Sequence, residues 1–103
     1  MMNNTLFSEL QSAMEAELTP KVLDILVEVA RIALYQNDKD YAAEILVLAL
    51  QYPMRVETLE DAEVLFSTLE SELDPKVIDK ACALAQLRTL EDMVAYVLAT
   101  AAE

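Results

Sequence analysis

Between Leu59 and Asp74 the chain separates its residues into two stripes. Leu59, Ala62, Leu65, Phe66, Leu69 and Leu73 recur at steps of three and four, and Glu60, Glu63, Ser67, Glu70 and Asp74 fall between them. At 3.6 residues per turn the two sets occupy opposite faces, which predicts a helix that covers a core with one side and meets water with the other. The stretch from Val22 to Leu34 is different, because Asp24, Glu28 and Arg31 are its only polar residues and form a narrow seam. A helix of that pattern is expected to be central and covered on most sides. From Met93 to Ala102 there is no charge at all, so a helix there needs cover from something else.

The helix ends are also written in the sequence. Thr19 and Asp74 each precede a proline, a favoured start because a cap residue satisfies an open backbone donor and proline lacks only a donor that would be unpaired anyway. The tetrapeptide TLED at 58–61 and again at 89–92 places a hydroxyl before two acids that oppose the helix dipole. Asn37, Asp38 and Asp40 interrupt the apolar pattern after Tyr35, and Pro53 ends the run that follows. These signals predict six helices, at about 5–17, 20–35, 39–52, 58–73, 75–88 and 90–102.

The stretch ELTPKVLD at 17–24 returns as ELDPKVID at 72–79. At the same offset of 55, Leu10 pairs with Leu65, Ser12 with Ser67, Glu15 with Glu70, Leu18 with Leu73 and Ala30 with Ala85. At an offset of 52, Asp40 pairs with Asp92, Ala43 with Ala95, Leu46 with Leu98 and Ala49 with Ala101. The chain thus reads as one domain over 1–103, built from two related three-helix units at about 5–53 and 58–102. Helical repeats stack so that each buries the apolar face its neighbour cannot.

In the first unit, Leu26, Val29, Ala30 and Ala33, then Ala42, Leu46 and Ala49, then Pro53 resemble a tetratricopeptide helix pair. Ala30 stands where that family most often has glycine, Ala33 where a large aromatic is common, and Pro53 comes one residue early. The segments AAEILVLALQYP, DAEVLFSTLESELDPKVIDKA and TLEDMVAYVLA also resemble the C-terminal helical segment of large bacterial signalling ATPases and transcriptional regulators. These resemblances imply an all-α array of antiparallel hairpins that works as a regulatory or protein-binding module, without ATPase motifs of its own.

Composition narrows the function further. Seven Lys and Arg against 19 Asp and Glu give a net charge of −12, which repels phosphate backbones and anionic membrane surfaces. No apolar run approaches the roughly 20 residues that cross a bilayer, and MMNNTLFSEL lacks a secretory pattern. A single cysteine excludes an internal disulfide, so a cytoplasmic setting is expected. Without histidine the commonest general base is missing, and without glycine so are phosphate-cradling loops. An enzyme is not expected, nor is a cofactor or metal. Asp38 with Asp40, or Glu57 with Glu60 and Asp61, has no glycine turn or ligand ladder of a calcium site. Cys82 falls at helical spacing with Ile78 and Ala85 and is read as core, and the four tyrosines as core or rim packing.

What remains is surface. Seven acids and no base lie between Arg55 and Lys76, a solvated face or a docking surface for a basic partner. The expected function is protein–protein interaction, with Met93, Val94, Tyr96 and Val97 of the last helix as an apolar patch and Glu60, Glu63 and Glu70 setting partner choice. A second copy of the chain is the simplest partner, since a two-fold dimer would cover uncapped ends. The alternative is an acidic inhibitor or antitoxin-like protein that occludes a basic surface through the 57–74 helix.

Overall fold

A computed structural model describes residues 4–101. Six helices follow one another: α1 (Asn4–Glu15), α2 (Thr19–Tyr35), α3 (Lys39–Ala49), α4 (Val56–Glu72), α5 (Pro75–Leu87) and α6 (Leu90–Ala101). The expected end of the last helix at residue 102 lies outside the described residues. Asp74 caps α5 as the sequence predicts, its carboxylate accepting from the Lys76 amide at 2.8 Å. Thr89 and Asp92 form a reciprocal capping box at the start of α6, with bonds of 3.1 and 3.0 Å.

Two other expected caps are corrected. Thr19 is the first residue of α2, behind Leu18, and makes no capping bond. Thr58 lies inside α4, which starts at Val56, and it is buried. Its hydroxyl donates to Asp24 of α2 instead, so a partner 34 residues away has drawn it out of the cap role.

The two units use different joints. In the first, α1 is followed by Glu17 at φ 58° and α2 by Asn37 at φ 65°. Each supports the same pair of bonds: Glu17 N to Met14 O and Leu18 N to Ala13 O, then Asn37 N to Leu34 O and Asp38 N to Ala33 O, at 2.8 to 3.1 Å. This left-handed closure usually takes glycine, and a chain without glycine makes it with Glu and Asn. In the second unit Leu73, Asp74 and Arg88 are extended, with ψ between 135° and 149°. The repeated letters Glu-Leu therefore form a left-handed turn at 17–18 and a helix end running into extended chain at 72–73.

Packing follows from the joints. The sharp turns lay α2 against α1 and α3 against α2, whereas α4 with α5 and α5 with α6 make no more than marginal contact. The helices of the second unit dock onto α3 separately, and α1 packs on α6. The antiparallel-hairpin array is thus not the observed packing in the second unit, because its extended joints do not fold neighbours onto each other. One core cluster draws on all six helices, with Leu10, Leu26, Leu46, Leu69 and Met93 fully enclosed. The radius of gyration is 12.6 Å, close to the roughly 13 Å of a compact chain of about 100 residues.

The polar seam of α2 is matched. Asp24 accepts from Arg55 and Thr58, and Arg31 reaches Glu28 at 2.8 Å and Asp61 of α4 at 3.3 Å. Lys39 of α3 pairs with Glu72 at 2.8 Å, and Arg88, between α5 and α6, with Glu44 of α3 at 3.2 Å. Arg31, Lys39, Arg55 and Arg88 each tie residues of the first unit to residues beyond it. Among the described residues no helix is long and apolar enough to cross a membrane.

Candidate interaction surfaces

The apolar patch expected on the last helix is covered from within. Met93, Val94 and Val97 are 0, 3 and 0 % exposed, because α1 and α3 close over that side of α6. Those three side chains are therefore enclosed within the chain's own core. Tyr96 is half-buried at the edge of this contact. Its ring meets Tyr41 of α3 edge-on at 5.6 Å, and the Arg88 guanidinium sits 4.9 Å from the ring centroid.

Tyr41 and Thr100 share a hydrogen bond of 2.7 Å, and Thr100 donates to the Val97 carbonyl, which leaves the Tyr41 hydroxyl as the donor between them. Burial pushes the Tyr41 hydroxyl above its ordinary pKa, since a phenolate is costly away from water. The cluster joins α3 to α6, with Glu44 held beside it by Arg88.

The acid-rich stretch divides in two. Asp61 and Glu72 pair with Arg31 and Lys39, and Asp74 caps α5. Glu57, Glu60, Glu63 and Glu70 face solvent. Glu60 and Glu63 border a shallow depression of about 460 Å³ with Val64, Ser67 and Thr68. Val64 is 67 % exposed there, as is Val56 a little over two turns before it, so the outer face of α4 is acidic with apolar points.

A larger concave surface arises where sequence reasoning placed none. It lies between the end of α1, the start of α2 and the first turns of α6, with a volume of about 800 Å³. Met14, Leu90 and Leu98 contribute apolar surface over the enclosed Val22 and Val94, and Gln11, Thr19 and Thr89 polar surface. Glu15 and Glu17 come from the α1 side and Glu91 from α6, with no Lys or Arg in the lining. All three acids are exposed. Tyr52 holds one end together, its hydroxyl accepting from the Leu90 amide at 3.0 Å. The only sequence signal for this groove is that the last helix is too apolar to stand alone. Nothing local says that α1 is its neighbour, or that the turn at Glu17 opens the groove.

Cys82 is half-buried against the core. Among the described residues no cluster of three or more His, Cys, Asp or Glu could hold a metal ion. The chain was compared with family models, with curated proteins and with solved structures, and none matches it.

Proposed function

We propose that this chain is a non-catalytic protein-interaction module of the regulatory kind its helical-repeat resemblance implies, and that it engages a protein partner through the groove between α1, α2 and α6. The observation that carries this reading is the groove itself: about 800 Å³, floored by Met14, Leu90 and Leu98, and lined by no base. A docking site needs apolar surface to bury and a polar rim to select. The groove supplies both at the surface, which α6 alone does not. Titrating the isotope-labelled protein with amphipathic peptides of differing net charge tests it by amide shifts. Shifts at Met14, Ala95 and Leu98 are expected, and no shift there with any peptide refutes the reading.

A second reading is an acidic inhibitor that occludes a basic surface through α4. What favours it is the solvent-facing set Glu60, Glu63 and Glu70 around the exposed Val64. Binding to a basic protein that weakens steeply with salt, and is lost in the variant Glu60→Lys with Glu63→Lys, supports it. Binding indifferent to both removes it.

A further inference from the structure

We infer that the occupant of the groove is a basic, amphipathic segment of a protein partner, one that places large apolar side chains on Met14, Leu90 and Leu98 and sets lysines or arginines against Glu15, Glu17 and Glu91. This rests on the proposal that the groove binds a protein at all.

Two observations converge on a cationic partner. The three acids come from both sides of the groove, are exposed, and form no ion pair within the described residues. The last turn of α1 ends at this groove and contains no basic residue, so the partial negative charge of its carbonyl end is not answered from that helix. Of the two helix starts at the groove, that of α6 is answered by Glu91 and Asp92, whereas that of α2 has no acid in its first turn. A cation arriving beside Glu15 and Glu17 is attracted by both the carboxylates and the end of α1, and an anion there is repelled by both. A second copy of this chain, at −12, brings the wrong charge. The floor suits apolar side chains of more than one shape, since Met14 is unbranched and adaptable. The open form accommodates a segment lying between two helices better than a small molecule that must be enclosed.

The chain has no tryptophan, so Gln11→Trp, exposed in the groove wall, gives a clean fluorescence reporter. Three peptides of equal length serve as probes: one of leucine and lysine in amphipathic order, its leucine–glutamate twin, and a serine–lysine version with no apolar face. The leucine–lysine peptide is expected to bind saturably, and the other two at least tenfold more weakly. Replacing Glu15, Glu17 and Glu91 together by Gln is expected to weaken it about tenfold, as three screened ion pairs would. The same change at Glu60, Glu63 and Glu70 is expected to leave affinity within about twofold, and circular dichroism checks that both variants fold.

Equal binding of the leucine–lysine and leucine–glutamate peptides overturns the cationic assignment and leaves a protein-binding groove standing. Equal losses from the two triple variants overturn its location. A reporter signal that grows with protein concentration alone, with a doubled mass by light scattering, overturns it in favour of a second copy. No response to any peptide removes the groove reading as well.

Discussion

Replacing Glu17 by glycine is expected to stabilise the protein, although it removes a side chain and adds chain freedom. Glu17 sits at φ 58°, where an L-residue presses its Cβ against the following carbonyl at a cost of roughly 1–2 kcal/mol. Glycine escapes that cost but gives back about 0.5–1 kcal/mol through its greater freedom in the unfolded chain. The two bonds that close the turn, Glu17 N to Met14 O at 3.1 Å and Leu18 N to Ala13 O at 2.9 Å, are backbone bonds and survive the change. The net gain is between about 0 and 1.5 kcal/mol, and the central value of about 0.75 kcal/mol raises Tm by about 3–6 °C for a chain of this size. Urea unfolding followed by circular dichroism should show a higher midpoint at unchanged slope. Two controls isolate the cause. Glu17→Ala removes the same charge but keeps the Cβ, and should bring no gain. Gln36→Gly lies at φ −85°, where glycine relieves nothing and should cost about 0.5–1 kcal/mol. A lower midpoint for Glu17→Gly, or an equal gain from Glu17→Ala, would refute the reasoning.

Thr58→Val removes the hydroxyl that donates to Asp24 at nearly constant shape, and should cost roughly 1.5–3 kcal/mol because the acceptor is charged. Thr58→Ser should restore most of this in the same urea assay. Leu46→Ala, at a fully buried position of α3, should cost roughly 2–5 kcal/mol, and a loss under 1 kcal/mol would contradict the central place of that helix. Because burial raises the Tyr41 pKa above its ordinary 10.0, the unfolded chain gives up this proton first as pH rises. The contribution is therefore complete below pH 10 and lost progressively above it. Midpoints measured across that range should fall less steeply for Tyr41→Phe than for the parent, and parallel slopes would contradict the assignment.

Six helices and most of their ends were legible because they depend on neighbours in sequence: Asp74 before Pro75, the second TLED, and the apolar spacing of α2 and α4. The first TLED failed for a physical reason. Thr58 has the same local letters as Thr89, but Asp24 offers its hydroxyl a charged acceptor across the fold, and that outcompetes a cap. The last helix failed likewise. Its composition says that it must be covered, whereas the identity of the cover, α1 and α3 of the same chain, is long-range information. The groove is a consequence of that pairing and was invisible with it. The likeness of 17–24 to 72–79 was plain in the letters, yet the packing was not, since a backbone that turns left-handed at Glu17 and stays extended at Leu73 sends similar segments in different directions.

Four of the seven cations, Arg31, Lys39, Arg55 and Arg88, lie against acids across the junction of the two units. More than half of the positive charge is thus paired along one seam, and the net charge of the chain is −12. Two molecules meeting in a crowded solution repel before the exposed Val56, Val64 or Leu87 of one can reach the other. The arrangement that fastens the first unit to the residues beyond it also uses up most of the cations, and leaves electrostatic attraction at the surface to whatever arrives with the opposite sign.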